Sequence, residues 1–193
     1  MKLSDQEIKK VELDALLYIR QICQRYHLRY YLAWGTLLGA VRHQGFIPWD
    51  DDVDIMMPRS DYDRLLELVP FLQHGYYRIL SNPKDKDYYY THAKMVDTRT
   101  LCVERELQTI QNMGIWIDIF PLDGMPDKFK IHYFKMRVLH KMRALSAHPK
   151  LPETSLIMTP IIYLAWKIVR LFGFQFFINR MERLARKYAY ESS

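Results

Sequence analysis

The stretch "GAVRHQGFIPWDDDVDIMMP", residues 39–58, places four aspartates within five positions at the start of an apolar run. The four are Asp50, Asp51, Asp52 and Asp54. Side chains alternate along a strand, so Asp52 and Asp54 would share one face, while Val53 and Ile55 enter the core from the other. Neighbouring carboxylates in a partly desolvated site repel each other, and a divalent cation relieves that repulsion. Carboxylate oxygens favour Mg²⁺, with Mn²⁺ as the alternative.

A third carboxylate lies in "IWIDIF", residues 115–120, which has the alternating pattern of a strand. Here Asp118 shares a face with Trp116 and Phe120, and the isoleucines take the opposite face. A buried carboxylate needs a partner, because an unpaired buried charge is very costly. That partner is either a salt-bridging Lys or Arg or a metal shared with the Asp-Val-Asp segment, and the latter is favoured by the acidic segment upstream.

The segment "YYLAWGT", residues 30–36, ends a run of strand formers at Gly35 and Thr36. A Gly-Thr pair at a strand-to-helix junction can turn backbone N–H groups and a hydroxyl toward a phosphate. Alone this signal is weak. Followed by Asp-Val-Asp and a later acid, it matches the pattern of the nucleotidyltransferase superfamily.

The order of predicted elements indicates an α+β or mixed α/β fold, with a mixed sheet flanked by helices and a helical region at the C-terminus. A capping box at Ser4 and Glu7 starts a helix over about 5–26. The predicted elements change from mixed strands and helices to helices throughout, which predicts a boundary near 126 between a catalytic core (1–125) and a basic, apolar helical region (126–193). Strands are predicted at 29–34, 52–57, 76–80, 88–96, 100–104 and 114–124, and a helix that Ser60 caps follows the second strand.

Composition excludes several classes of protein. Only Cys23 and Cys102 occur, in no CxxC pattern, which argues against a disulfide scaffold or a zinc site and favours a reducing, cytoplasmic compartment. The polar N-terminus is not typical of a signal peptide. Residues 126–193 carry a net charge of +9 and residues 1–125 a net charge of −3. The basic region suits nucleic acid, anionic lipid or a phosphorylated substrate, or else is a solvated helical surface.

The apolar segment 156–178 also contains Pro160, Lys167 and Arg170. Two central cations are unusual in a spanning helix, so the segment favours an interfacial helix and peripheral contact with the inner face of the cell membrane. The alternative is a helix buried on the core domain.

The string "WGTLLGAVRHQGFIPWDDDVDIMMPRSDYDRL", with the later "IDIFPLDG", resembles the LicD family of phosphocholine transferases and is similar to the fukutin-related transferases. The resemblance covers about 26–125. It implies a nucleotidyltransferase-like fold and Mg²⁺-dependent transfer of phosphocholine, or a similar phosphoalcohol, from a CDP-linked donor such as CDP-choline. The implied acceptor is a sugar hydroxyl of a cell-surface glycan such as lipopolysaccharide or teichoic acid, often lipid-linked, and CMP leaves. Members of the family are usually longer, so a short member or a truncated chain is expected.

Carried over residue by residue, the resemblance implies catalytic and metal-binding roles for Asp52, Asp54 and Asp118, and substrate contacts for Gly35, Thr36 and Arg42. Lys94, in the middle of the predicted strand "THAKMV", is a further candidate for a contact with a substrate phosphate. For Arg42 the alternative is a surface arginine near the acidic cluster. His92 is a weaker acid/base candidate, because a lone histidine is more often structural.

Two rival functions stay open. A true nucleotidyltransferase would use the same metal site and release pyrophosphate from a nucleoside triphosphate. A non-catalytic nucleic-acid-binding module would use the basic region, but it leaves the acidic residues at the strand ends unexplained, so no nucleic-acid partner is expected.

Overall fold

The structure, a computed structural model, describes residues 3–72, 75–102, 109–151 and 159–190. The chain forms two compact units. The first unit comprises Met1–Lys84, His92–Cys102 and Asn112–Leu122, and the second comprises Asp85–Thr91, Val103–Gln111 and Asp123–Ser193. The domain boundary near 126 stays a prediction.

A five-stranded mixed sheet forms the centre of the first unit. Its strands are β1 (Tyr31–Leu32), β2 (Asp54–Pro58), β3 (Tyr77–Leu80), β4 (Ala93–Asp97) and β5 (Ile115–Leu122). The spatial order is β1-β2-β5-β4-β3, in which β2 and β5 are parallel and the other pairs are antiparallel. The predicted mixed sheet flanked by helices is therefore confirmed.

Helices of the first unit are α1 (Asp5–Tyr26), α2 (Trp34–Arg42) and α3 (Arg59–Leu68). The reciprocal capping box between Ser4 and Glu7 starts α1, and His27 ends it in the left-handed conformation. This helix buries an apolar stripe that includes Ala15 and Ile19 in the same hydrophobic cluster as the sheet. The bounds predicted for α1 are confirmed.

Alternation along the central strands sets the core. Val53 is 1 % exposed, and Ile55, Ile117 and Ile119 are fully buried, as the period of two predicts. Pro121 lies inside β5. The pairing of β4 with β5 ends at Ile119, so the missing N–H of a proline at this point costs no bond to β4.

Other element bounds differ from the sequence predictions. β1 has only two residues, because Trp34 already belongs to α2. β2 begins at Asp54, so Asp52 precedes the strand, although the amide of Asp118 still donates to the carbonyl of Val53 at 2.8 Å. The N-cap of α3 is Pro58 rather than Ser60. The strand predicted at 88–96 begins only at Ala93, and the one predicted at 100–104 is absent at 100–102, while 103–104 lie outside the described residues.

Helices α4 (Phe129–Ala147) and α5 (Thr159–Ala185) make up most of the described part of the second unit and pack against each other. Gly173, with φ 70° and ψ 161°, interrupts α5. By length and composition, α5 is the helix within the described ranges that qualifies as a candidate membrane span. Its exposed apolar side chains include Ile161, Leu164, Ile168, Leu171 and Phe172.

Candidate active site

Three strands bring Asp54, Asp118 and Lys94 into one row across the sheet. Asp54 is the register partner of Asp118 on the parallel pair β2 and β5, and Lys94 is the partner of Asp118 on the antiparallel pair β4 and β5. Directly opposed residues project from the same face. Of the predicted site residues, these three are the ones that the sheet itself positions.

The carboxylate of Asp118 has three hydrogen-bonding partners. Nζ of Lys94 lies 2.6 Å and Nε2 of His92 lies 2.8 Å from Oδ1, while Nε1 of Trp116 donates to Oδ2 at 3.1 Å. Burial alone would raise the pKa of Asp118, but the hydrogen bond from His92 and the charge of Lys94 bring that pKa below its usual value. The salt bridge to a lysine or arginine, which was one of the two alternatives for Asp118, is therefore present and is made by Lys94. The contact with His92 was not predicted.

Lys94 is enclosed rather than presented to solvent. Its side chain is 3 % exposed, and Nζ lies 4.2 Å from the centroid of the Trp116 ring. The ammonium group is thus held by one carboxylate and one aromatic face. Contact between Lys94 and a donor phosphate stays a prediction.

The N-terminal turn of α2 is tied to the first residue of β2. Oγ1 of Thr36 accepts a hydrogen bond from the amide of Asp54 at 2.8 Å, and the amide of Ala33 donates to the Asp54 carbonyl at 3.0 Å. Burial, followed by the charges of Asp52 and Asp118, raises the pKa of Asp54 to about 7. Thr36 and Asp54 are therefore adjacent, as the phosphate-turn hypothesis requires.

Gly35 is required by a close approach of the acidic loop. A Cβ at this position would lie 2.1 Å from Oδ2 of Asp50, so the Asp50 carboxylate would have to move away from the helix. The residue before the helix, Ala33, supplies no side-chain cap to α2. Glycine thus lets a carboxylate pack against the first turn of α2, and the predicted role of Gly35 in phosphate binding stays a prediction.

The acidic loop forms the densest carboxylate group. Among the described residues, Asp50, Asp51 and Asp52 are the three acids that each offer a ligand atom within 4.8 Å of the others. Burial, then the charges of Asp50 and Asp51, raise the pKa of Asp52. This group shares Asp52 with the predicted ligand set. The set Asp52, Asp54 and Asp118 stays a prediction.

Glu12 on α1 is a site residue that sequence reasoning missed. Its side chain is 3 % exposed, and its Oε2 has no hydrogen-bond partner among the described residues. Burial, then the charges of Asp52 and Asp51, raise the pKa of Glu12 to about 8. A signal was available, since Glu12 lies four residues after Ile8 and three before Ala15, within the apolar stripe of α1.

Arg42 lies away from the phosphate turn. It is exposed in the last turn of α2, six residues beyond Thr36, which is about 9 Å along the helix axis. A contact between Arg42 and the donor stays a prediction.

Comparison with known proteins assigns the family. The family model described as "LicD/FKTN/FKRP, nucleotidyltransferase domain" matches residues 27–149, a range that contains every predicted site residue. The chain belongs to this family. The nucleotidyltransferase-like fold expected from the sequence is therefore confirmed.

Three curated relatives are similar over part of their length. "Lipopolysaccharide cholinephosphotransferase LicD" of Haemophilus influenzae is 38% identical over 138 residues, which is 70% of this chain and 51% of the relative. "Uncharacterized protein RP689" of Rickettsia prowazekii is 40% identical over 38% of this chain and 32% of its own length. "Uncharacterized protein RT0683" of Rickettsia typhi is 36% identical over 42% and 29%, respectively. The chain thus spans about half or less of each relative.

Proposed function

We propose that this protein transfers phosphocholine from a CDP-linked donor to a sugar hydroxyl of a lipopolysaccharide-type glycan, with CMP as the leaving group. The observation that carries the proposal is the register of Asp54 with Asp118, beside a turn whose Thr36 hydroxyl binds the Asp54 amide. Membership of the LicD family and the name of the Haemophilus relative support the substrate class. An alcohol other than choline would leave this reaction type unchanged.

The chemistry of the donor set fits a divalent cation. Asp54 is partly desolvated, and the charges of Asp52, Asp118 and Asp50 all disfavour its ionised form, whereas the charge of Lys94 favours it. We assign Asp52 and Asp54 as the residues that would hold Mg²⁺ or Mn²⁺, with Asp118 completing the set. When bound there, the ion would supply positive charge to the donor diphosphate and to the leaving phosphate.

Asp118 is better suited to the role of a permanently ionised carboxylate than to the role of a general base. Its lowered pKa keeps it ionised at neutral pH, and a carboxylate of low pKa is a weak general base. His92, Lys94 and Trp116 hold both of its oxygens in place. Metal coordination by Asp118 is therefore favoured over direct proton removal from the acceptor hydroxyl.

Thr36 is suited to donate a hydrogen bond to the donor phosphate. Its oxygen already accepts from the Asp54 amide, so its hydroxyl hydrogen is available to a phosphate oxygen. The first amides of α2 have no side-chain cap and offer further donors at the positive end of the helix. Thr36 thus links phosphate binding to the position of Asp54.

The test incubates the protein with CDP-choline, Mg²⁺ and a panel of lipopolysaccharide acceptors, and measures CMP release and choline incorporation. We expect CMP that depends on acceptor, on metal and on Asp54, with Asp54→Asn as the inactive control. A parallel reaction with CTP tests the rival function. Pyrophosphate release from CTP, with no CMP from CDP-choline, would replace this proposal by a nucleotidyltransferase.

We further propose that residues 1–125 are the catalytic part and that the apolar helical region 126–193 contacts the inner face of the cytoplasmic membrane. Exposure of Leu171 (85 %) and Phe172 (56 %), beside basic residues of the same helix, supports peripheral binding. In a flotation assay with anionic liposomes at low salt, we expect the parent protein to co-float with the liposomes and the Leu171→Glu variant to remain in the bottom fraction. Equal flotation of both proteins would argue against this contact.

A further inference from the structure

A cavity of about 410 Å³ opens beside the candidate site within the first unit. Its walls are mainly apolar and come from α1 (Leu13 and Leu16), β1 (Leu32) and the loop after α2 (Phe46). None of the described residues that line it is basic, and two are carboxylates, Asp50 and Asp52. Such a lining favours a group that is apolar and positively charged.

A buried acid beside this cavity can supply further negative charge when a cation binds. Glu12 lies on the same face of α1 as Leu16, four residues before it, and its Oε2 has no hydrogen-bond partner among the described residues. The ammonium group of Lys9, which also lies near, is engaged by carbonyls, since Nζ donates to Ile47 and Pro48 at 3.2 and 3.0 Å. Charge complementarity therefore points to a cationic occupant.

The cavity is continuous with the residues assigned to the donor phosphates. Gly35, Thr36 and Asp52 line it and also belong to the candidate site. In phosphocholine the nitrogen is separated from phosphorus by one oxygen and two methylenes. A phosphate at the first turn of α2 would thus direct its head group into this space.

We propose that this cavity binds the quaternary ammonium group of the donor, an inference that rests on the proposed function and assigns its head-group subsite. A trimethylammonium ion is large, weakly hydrated and unable to donate hydrogen bonds. It therefore prefers apolar walls with nearby negative charge to the directional acceptors that a primary ammonium or a polyol requires. Phe46 contributes an aromatic side chain to the wall.

The test fills the cavity without touching the assigned catalytic groups. Ala40 lines it from α2 and is exposed, so Ala40→Phe should fold and occupy the space. Val41, which is 73 % exposed on the same helix and does not line the cavity, provides the matched control Val41→Phe. We expect the preference for CDP-choline over CDP-glycerol, measured as a ratio of kcat/KM, to fall about tenfold or more in Ala40→Phe only.

Binding of tetramethylammonium ion, measured by ligand-observed NMR, separates this inference from the proposed function. CMP release from CDP-choline with an unchanged preference in Ala40→Phe would overturn the cavity assignment and leave the function standing. Absence of CMP from any CDP-alcohol, with tetramethylammonium binding that Ala40→Phe abolishes, would overturn the function and leave a cation pocket. Loss of the preference in Trp34→Leu instead would move the head group to that exposed indole, which is 56 % exposed and packs on Phe120, and would also overturn the assignment.

Discussion

Two acidic regions of the first unit differ in whether nearby cations compensate their negative charge. On β5, the charge of Asp118 is matched by His92 and Lys94, and its pKa is lowered despite burial. Around the loop before β2, Glu12 and Asp54 are buried with an excess of like charge, and their pKa values are raised to about 8 and about 7. The negative charge of Asp118 therefore has partners within the fold, and we call its surroundings the matched region. The acids Glu12, Asp52 and Asp54 lack sufficient positive charge nearby, and we call them the unmatched region.

This difference separates a carboxylate whose charge the fold already compensates from carboxylates that lack a compensating partner. A buried charge that already has a hydrogen-bonded cation is compensated within the fold, and removing that cation is destabilising. Buried acids that lack cations destabilise the fold at neutral pH and are retained where a ligand supplies the missing charge. The comparison thus predicts that substitutions in the two regions have opposite effects on stability and activity.

The largest effect is expected from removing charge in the unmatched region. Asp54→Asn and Asp52→Asn should lower turnover by at least about 10³-fold, or ~4 kcal/mol, because the donor loses its counterion. The free energy of unfolding without metal should stay unchanged or rise, since like charges are removed. Asp14→Asn, at an exposed position of α1, is the control with normal turnover. Variants that unfold early yet retain turnover would contradict the metal assignment.

The next effect concerns the matched region. Lys94→Met leaves Asp118 with a buried charge and should lower the free energy of unfolding by about 3 kcal/mol. Arg186→Met breaks an exposed ion pair with Glu182 and should cost less than about 1 kcal/mol. Chemical denaturation with tryptophan fluorescence measures both. A loss no larger for Lys94→Met than for Arg186→Met would show that the Asp118 ion pair contributes little.

Local signals in the sequence predicted the features that depend on neighbours along the chain. The capping box of Ser4 and Glu7 placed the start of α1, and the period of two around Val53 placed the core face of β2. Longer-range contacts were harder to foresee. Glu12 is close enough to be affected by the charges of Asp51 and Asp52, although about 40 residues separate them along the sequence. No local sequence pattern predicts such a long-range approach.

A run of strand formers was misassigned for the same reason. Tyr88, Tyr89 and Tyr90 have high strand propensity, but they belong to the second unit, where the guanidinium of Arg143 donates to the Tyr89 carbonyl. That tertiary hydrogen bond outweighs local propensity. The row of Asp54, Asp118 and Lys94 was likewise not predicted, because the register between two strands cannot be derived from the sequence of either strand alone.

Stability should depend on pH in the direction set by the unmatched acids. Both Glu12 and Asp54 have folded pKa values above their ordinary ones, so the folded state binds more protons than the unfolded state between about pH 4 and pH 8. The free energy of unfolding without metal should therefore fall as the pH rises from about 5 to about 8. Asp118 acts in the opposite sense, but its stabilisation is lost only at lower pH, outside this window.

Thermal unfolding at pH 5, 6, 7 and 8, in EDTA and in Mg²⁺, measures this dependence. Mg²⁺ should flatten the curve, because a bound cation favours the ionised carboxylates and stabilises the fold according to its affinity. A free energy of unfolding that rises from pH 5 to pH 8 in EDTA would mean that these carboxylates already have compensating partners.

The smallest effect is expected from Glu12→Gln. The substitution keeps the size of the side chain and removes the group that must stay protonated in the fold at neutral pH, so at pH 8 without metal the Tm should rise by roughly 3 °C, or about 1 kcal/mol. At pH 4, below the ordinary pKa of a glutamate, the parent carboxyl is neutral in the fold and mostly neutral in the unfolded chain, so the two Tm values should nearly coincide. Glu67→Gln, at an exposed position of α3, should change neither. A Tm at pH 8 that falls on replacing Glu12 would show that its carboxylate has a stabilising partner, and the contrast between the two acidic regions would then rest on Asp54 alone.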